Sequence, residues 1–279
     1  MHFLLLTTSI VGDDLSKLQR MIDSLREYEG HESISISHVL LLQNVDEPRF
    51  AATVNALTLP AWTHVMRSDR VLSLSSARNR MLQEAKQLAL PDETIVAFPD
   101  DDCWYPSGLL NSIAAQSSDF FFCRYATQTV PASATLMPTK ATFKDIVFNA
   151  SSNTIFLRKH VVDAVGLFNE QLGVGATYNG GEDLDYATRA FWQSHTVTFI
   201  PAPLVGHRDK MTAMRGNYFI GSALVLRNNA IKSAPAMFQF LRKLAVGTAL
   251  VLKREMPLPT LLQVFSARLK EPAHGTQKH

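Results

Sequence analysis

The stretch Thr94-Ile95-Val96-Ala97-Phe98-Pro99-Asp100-Asp101-Asp102-Cys103-Trp104 decides how this chain is read. Its first five residues are an apolar run of strand length, and its acids form the loop leaving the C-terminal end of that strand. Three adjacent carboxylates repel one another. They are tolerated in a solvated loop, which is the plain alternative, or they gather around a cation. Hard oxygen ligands of this kind suit Mg²⁺, Mn²⁺ or Ca²⁺. The aromatic pair Trp104-Tyr105 implies packing rather than free solvation. In open α/β sheets, ligands bind beyond the C-terminal ends of strands. The order of strand, acids and metal therefore predicts a cation that holds a phosphate-bearing ligand.

The pattern on either side extends this reading. His2 to Ser9 is a first strand. Asp13 or Asp14 caps a helix whose apolar face is Leu15, Leu18, Ile22 and Leu25. Ile34 to Leu42 is a second strand, ending at Gln43-Asn44. Serines 73, 75 and 76 cap a helix carrying Met81, Leu82 and Ala85, and Thr94 to Phe98 follows as the third strand. Pro106 suits the first turn of a helix over Leu109 to Ala115. Strands alternating with helices predict an α/β fold with a mixed, mainly parallel sheet flanked by helices. After Asp119 the pattern loosens. Phe120 to Tyr125 and Thr154 to Leu157 read as strands with no clear helix between them, and Ala126 to Asp145 reads as a long loop of the kind that lids and binding segments use. Val161 to Val165 is a short helix.

With 46% hydrophobic residues, the chain of 279 can build a sizeable core. A net charge of +2 argues against a nucleic-acid binder, which needs a basic stripe. The charge is unevenly placed. From Ile231 onward there are eight Lys/Arg against two acids, so the tail is basic and the body mildly acidic. Cys103 and Cys123 are the only cysteines; this fits a reducing compartment and offers no zinc-type spacing. Met1-His2-Phe3-Leu4-Leu5-Leu6 lacks a basic lead and a small-residue cleavage site, so it is expected to be a strand rather than a secretion signal. No uninterrupted apolar stretch is of bilayer-spanning length.

A second acidic cluster lies in Gly180-Gly181-Glu182-Asp183-Leu184-Asp185, after Gly173-Val174-Gly175. A helical pattern begins here, which puts Glu182 and Asp183 in its first turn. Acids there complement the helix dipole, worth about 0.3–1 kcal/mol each, and that alone could explain them. The glycines favour a functional reading, because they let backbone come close to a ligand. A fixed carboxylate beside such a loop could take a proton from an acceptor hydroxyl. The dipole works against this by lowering its basicity, so desolvation or neighbouring acids must restore it. His207 gains meaning only if the fold brings it to Asp102, where a neutral imidazole could complete a Mn²⁺ shell.

From Phe3 to Leu226 the chain resembles the family 2 glycosyltransferases of GT-A fold. Asp100-Asp101-Asp102 is similar to the family's Asp-x-Asp motif, and Ala77-Arg78-Asn79 to the Ala-Arg-Asn of its nucleotide pocket. Gly166-Leu167-Phe168-Asn169-Glu170-Gln171-Leu172-Gly173-Val174-Gly175, continuing to Gly181-Glu182-Asp183-Leu184-Asp185-Tyr186 and Arg189, is similar to the acceptor-side motif of bacterial members. The resemblance implies an inverting, metal-dependent transfer of sugar from a nucleotide-sugar donor, a UDP-sugar above all. The acceptor would be a glycan or a lipid-linked acceptor in bacterial surface polysaccharide synthesis. It implies Asp102 and His207 as ligands of Mn²⁺ or Mg²⁺. Thr7, Gln43, Asn44, Arg78, Asp100 and Asp101 would lie on the donor side, Gly181 and Glu182 on the acceptor side, and Asp183 would be the catalytic base. Many members carry an acidic pair at the end of strand two, where an Asp contacts the base; this chain has Gln43-Asn44, which opens the identity of the nucleotide. Acceptor choice is assigned to Ala126 to Asn153.

Residues 1–230 are expected to form this domain and 231–279 a helical C-terminal extension. In the extension, Phe238, Leu241, Ala245 and Leu252 share one helical face. Two readings stand: a helix packed on the domain, or an amphipathic helix on an anionic membrane. The second goes with a cytoplasmic protein peripheral to the inner face of the cytoplasmic membrane. Rivals to transfer are a nucleotidyltransferase, which needs a basic phosphate loop where Ser9-Ile10-Val11-Gly12-Asp13-Asp14 stands, and a binding module that kept the fold without the chemistry.

Overall fold

The apolar run at Val96 is the middle of an eight-stranded sheet. In the computed structural model, residues 1–46, 48–131, 137–208 and 216–272 are described. In chain order the strands are β1 (His2–Ile10), β2 (Ser35–Gln43), β3 (Thr63–Ser68), β4 (Ile95–Ala97), β5 (Phe120–Ala126), β6 (Thr139–Lys140), β7 (Ile155–Arg158) and β8 (Val197–Gly206). They lie side by side as β3-β2-β1-β4-β7-β5-β8-β6. β1, β2, β3 and β4 are mutually parallel, β7 runs antiparallel between β4 and β5, and β5 is parallel to β8.

Both faces of this sheet are covered, which is why its strands read as continuous apolar runs rather than alternating ones. Phe3 and Leu5 of β1, Leu40 and Leu42 of β2 and Ala97 of β4 point to one side. There they meet α1 (Ser16–Asp23) and α4 (Leu109–Ala114) through Leu18, Met21, Ile22 and Leu110. The alternate residues Leu4, Leu6, Leu41, Val96 and Phe98 point to the other side. Their partners are α3 (Leu74–Ala85), α6 (Lys159–Val165) and α7 (Glu182–Gln193), through Ala77, Met81, Val161, Tyr186 and Ala190. Tyr186 stacks on Phe168 at 4.0 Å between centroids, and Phe98 meets both rings edge-on at 5.2 Å.

Several local expectations are corrected. The strand at Val96 is the fourth, because β3 precedes it. As an edge strand β3 is only half buried, with Arg67 and His64 exposed, so its apolar signal is weak. Two short elements sit in the segment read as a loop. β6 pairs antiparallel with β8, and α5 (Phe143–Asn149) begins two residues before Asp145. The signal for α5 was the box Thr142-x-x-Asp145: Thr142 Oγ1 accepts the Asp145 N–H, and Asp145 accepts the Thr142 N–H at 2.9 Å. A helix therefore does lie between β5 and β7. The part of that loop from 132 to 136 lies outside the described residues. Pro106 is not in the first turn of α4, because Gly108, at φ +75°, separates it from the helix. At α1 the N-cap position is Leu15, without a side-chain bond, and Asp14 just before it accepts the Ser16 N–H at 2.7 Å.

The C-terminal helices α8 (Phe219–Ala230), α9 (Ala234–Leu252) and α10 (Leu258–Ser266) share a third apolar core through Phe219, Leu224, Phe240, Met256 and Val264, joined by Phe143 of α5. The tail is thus packed on the domain along one side; its residues 273–279 lie outside the described residues. One expectation on length is also corrected. By length and composition α9, with 19 residues and a mean hydropathy of 1.2, could cross a membrane. The pair Arg242-Lys243 near its middle interrupts the apolar run, which hid it from a search for uninterrupted stretches.

Candidate active site

Trp104 brings β8 to the acid loop. Its N–H donates to the Gly206 carbonyl and its carbonyl accepts the Gly206 N–H, both at 2.9 Å. The indole lies flat against Gly206, where any Cβ would sit 1.9 Å from the ring, so this approach requires glycine. The next residue, His207, then faces the acids: Nε2 is 2.9 Å from Asp102 Oδ1 and 3.9 Å from Asp100 Oδ2. Its Nδ1 lies 2.8 Å from the Arg208 carbonyl. A carbonyl only accepts, so Nδ1 donates to it, and Nε2 is the nitrogen turned to the acids, where a second proton donates to Asp102. Tyr125 packs edge-on against the imidazole at 4.9 Å.

Asp100 and Asp183 meet through Arg78. This guanidinium, buried on α3, donates from Nη2 to Asp100 Oδ1 at 3.1 Å and from Nη1 to Asp183 Oδ1 at 2.6 Å. The turn before β7 completes both shells. The Ser152 N–H donates to Asp183 Oδ2 at 3.0 Å, and the Asn153 side chain exchanges two bonds with Asp100, accepting its N–H at 2.7 Å and donating to Oδ2 at 3.0 Å. A continuous chain of contacts therefore runs Asp102–His207–Asp100–Arg78–Asp183.

Electrostatics divide these groups. Burial pushes the Asp183 carboxyl up, but Arg78 and the Ser152 N–H outweigh it and hold the group below the usual carboxylate range. Burial, opposed by Arg78 and reinforced by Asp183, leaves Asp100 raised. Glu182, buried and beside the Asp183 charge, is pushed up to about 7. The hydrogen bond from His207 holds Asp102 down. Burial pulls His207 down, but its bond to Asp102 and the charges of Asp102 and Asp100 outweigh that and leave it raised. The opposition between helix dipole and desolvation at Asp183 is thus decided by a cation that the sequence pattern did not connect to it.

The glycines before α7 also serve a backbone contact. Gly180 and Gly181, at φ +74° and +89°, lie against the start of α8. A Cβ on Gly181 would come within 2.6 Å of the Gly221 carbonyl carbon, and one on Gly221 within 2.0 Å of the Gly180 carbonyl oxygen. They allow two backbones to touch, and that contact holds the α7 N-terminus in place. Gly221→Ala is therefore expected to destabilise the fold by about 3 kcal/mol, the cost of overpacking. A denaturant midpoint unchanged from wild type would show that this contact is slack.

Other expected donor-side residues sit as follows. Thr7 is fully buried in β1, and its Oγ1 has no hydrogen-bond partner among the described residues. Gln43 is buried with its amide engaged on both sides, Nε2 donating to Thr8 Oγ1 at 2.7 Å and Oε1 accepting the Leu72 N–H at 2.7 Å. That side chain fastens the segment entering α3. Asn44 adopts φ +64° and is partly exposed. Asp101 accepts the Ser9 hydroxyl at 2.5 Å. Glu182 is buried beneath Gly173. The sequence reading missed Ser152, Asn153, Arg20, Lys17 and Arg208. Arg20 donates to the Asp102 carbonyl at 2.8 Å and lies 4.2 Å over the Trp104 ring. Arg208 is 3.2 Å from Asp102 Oδ2. Lys17, Arg208 and Asp101 line a cleft of about 200 Å³ beside β1. The sequence offered two pointers: Ser152 and Asn153 end the segment assigned to acceptor choice, and Arg208 follows His207.

No protein-family model matches the chain, and no curated protein matches its sequence. Solved structures do. S. aureus TarS superposes with a TM-score of 0.62 at 14% identity, over 87% of this chain and 43% of TarS. Residues 1–349 of TarS in complex with UDP give 0.57 at 16% identity, over 82% of this chain and 66% of that one. Mannosyltransferase PcManGT from Pyrobaculum calidifontis, in complex with GDP-Man and Mn²⁺, gives 0.55 at 13% identity, over 95% and 74%. The fold is GT-A-like. Its structural neighbours are glycosyltransferases, and the chain spans less than half the length of TarS.

In this GT-A-like frame, the donor set tests whether a divalent ion suits the site. Ligand atoms of Asp100, Asp102 and His207 all lie within 4.8 Å of one another. Two carboxylates and one imidazole suit Mn²⁺, with Mg²⁺ less well matched to the nitrogen. The Arg208 carbonyl on Nδ1 supplies the outer hydrogen bond that ligating histidines generally have. The residues fit the ion.

Proposed function

We propose that this chain is a metal-dependent, inverting glycosyltransferase that moves a sugar from a nucleotide-sugar donor to a hydroxyl of a glycan or lipid-linked acceptor. The single observation that carries this reading is the contact path Asp102–His207–Asp100–Arg78–Asp183, which joins the candidate cation ligands to a second carboxylate through one guanidinium. The neighbours with UDP or GDP-Man in their structures support a nucleotide-diphosphate sugar as donor, and a UDP-sugar is the specific proposal. Family 2 membership, a role in bacterial surface polysaccharide synthesis and a cytoplasmic site at the inner face of the cytoplasmic membrane belong to the same reading, carried by the motif resemblance.

The residues divide the work. Asp102 and His207, with Asp100, would hold the divalent ion, which when bound supplies Lewis-acid stabilisation of charge on the departing diphosphate. Lys17 and Arg208 line the neighbouring cleft with positive charge, where they would attract the diphosphate. Asp183 accepts the proton of the attacking hydroxyl. Its carboxyl is held below the usual range, so it is ionised at neutral pH and takes the proton only as the oxygen becomes acidic on bonding to the anomeric carbon. Attack opposite the leaving group inverts that carbon, so the proton acceptor and the cation site must be separate carboxylates, as in inverting glycosidases. Arg78 keeps them apart in function. It forks between Asp100 and Asp183, offsets one of their two charges, and fixes the carboxylate orientation.

A thermal-shift screen of nucleotide sugars with and without Mn²⁺ tests this. One donor at saturating concentration is expected to raise Tm by roughly 5 °C, and only with the metal. Stabilisation by nucleoside triphosphates but by no nucleotide sugar would replace the reading with nucleotidyl transfer.

A further inference from the structure

The solvent side of the C-terminal helices is apolar where a packed surface helix should be polar. Along α9, Phe238, Leu241, Ala245, Ala249 and Leu252 recur at helical spacing on the exposed face. Phe238 is 63% exposed and Leu252 79%. The helix's two central charges do not interrupt this stripe. Arg242 lies 4.3 Å over the Phe148 ring and Lys243 4.9 Å over Phe219, both against the protein. α10 repeats the arrangement: Leu258, Leu262 and Phe265 share one face, and Phe265 is 62% exposed. Two consecutive helices thus bury one apolar side in the third core and present another outward.

Charge identifies the occupant. Residues 231 to 272 contain seven Lys/Arg and two Glu, and Lys253, Arg254, Arg268 and Lys270 are exposed at the ends of the two helices. An apolar stripe ending in exposed cations matches an anionic bilayer surface, with the rings among the acyl chains and the ammonium and guanidinium groups at the headgroups. A membrane crossing does not fit. The inner side of α9 is locked against the domain, where a Cβ on Gly247 would be 2.3 Å from the Phe219 ring, and Arg242-Lys243 would fall at mid-bilayer.

We infer that α9 and α10 form a two-helix docking face for an anionic membrane, on which the chain lies without crossing it. The face is tied to the acceptor-side segment. The Asn169 amide donates to the Lys270 carbonyl at 2.8 Å, and the Lys270 N–H donates to Gln171 Oε1 at 2.6 Å. A docked extension therefore holds the segment leading to Gly181-Asp183 at a fixed position relative to the bilayer. The inference stands on the surface alone and does not depend on the transfer reaction.

Vesicle co-sedimentation of the full chain tests it, using phosphatidylcholine vesicles with and without about one third phosphatidylglycerol. Wild type is expected to bind the anionic vesicles and to bind neutral ones about ten-fold more weakly. Phe238→Ser with Phe265→Ser is expected to lower binding a further ten-fold or so. Both rings face solvent, so Tm and circular dichroism should not change. Lys253→Gln with Arg268→Gln removes only charge and should weaken binding to anionic vesicles alone. Failure to sediment with anionic vesicles would overturn the inference, as would equal binding to both vesicle types or binding untouched by the double Phe variant. If wild type instead forms a concentration-dependent dimer that the Phe variant dissolves, with no vesicle binding, the face belongs to a second copy of the chain.

Discussion

Asp183→Asn is expected to lower the turnover number for sugar transfer by about a thousand-fold, the scale of a lost general base, while donor affinity stays within about two-fold of wild type. The carboxylate reaches Asp100 through Arg78 and through Ser152, whose N–H donates to Asp183 and whose hydroxyl donates to Asp100 at 3.3 Å. The amide can keep its oxygen on Arg78 or on the Ser152 N–H and turn its NH2 to the Ser151 hydroxyl, the third present contact at 3.3 Å, so the site should hold its shape while the proton acceptor is gone. Isothermal titration with donor and Mn²⁺, set beside steady-state kinetics, separates the two effects. Equal loss of donor binding and turnover would remove Asp183 from the role of base and leave it a member of the donor pocket.

Arg78→Met is expected to destabilise the fold by about 3 kcal/mol at neutral pH, because it strands two carboxylates around a buried site that lost its cation. The pH dependence has a definite sign. In the wild type the Asp183 carboxyl is below its ordinary value. Its contribution to stability is therefore present above the unfolded pKa and is lost as pH falls through the folded one. Without Arg78, burial dominates and both carboxyls titrate above their unfolded values, so the variant gains stability as pH falls through those raised values. The difference between wild type and variant must shrink on acidification, read as denaturant midpoints at about pH 7.5 and about pH 5. A difference of the same size at both pH values would mean that Arg78 acts by packing on Phe168, over which it lies at 5.2 Å, and not by charge. Arg78→Lys should recover part of the loss, because a point charge can face one carboxylate well but cannot fork between two.

Much of the fold was legible because burial on both faces leaves a dense local record. The runs at Leu4, Leu41, Val96 and Phe121 are apolar at every position, and that pattern belongs to interior strands of a layered sheet. What stayed hidden was half-exposed or short. β3 at the edge alternates with Arg67 and His64, and α5 announces itself only by the Thr142–Asp145 cap. The candidate site was legible in its residue types but not in its wiring. Asp100, Asp102, Arg78, Asp183 and His207 each stood out, yet no spacing could show that one guanidinium joins two of them or that Ser152 and Asn153 complete their shells. The glycines at 180 and 181 are visible too, but their contact with Gly221 is not, because that backbone belongs to a helix farther along the chain.

By itself the sequence determined a layered α/β sheet with acids at a strand's end, because side-chain polarity and backbone periodicity are local properties that each segment carries with it. Only the tertiary structure decided that His207 turns Nε2 toward Asp102, that Arg78 depresses Asp183 while Glu182 rises to about 7, and that the third core leaves an apolar face of α9 outside. Those outcomes depend on distances between groups remote in sequence. Coulomb interaction and desolvation are set by such distances, and the order of residues does not contain them.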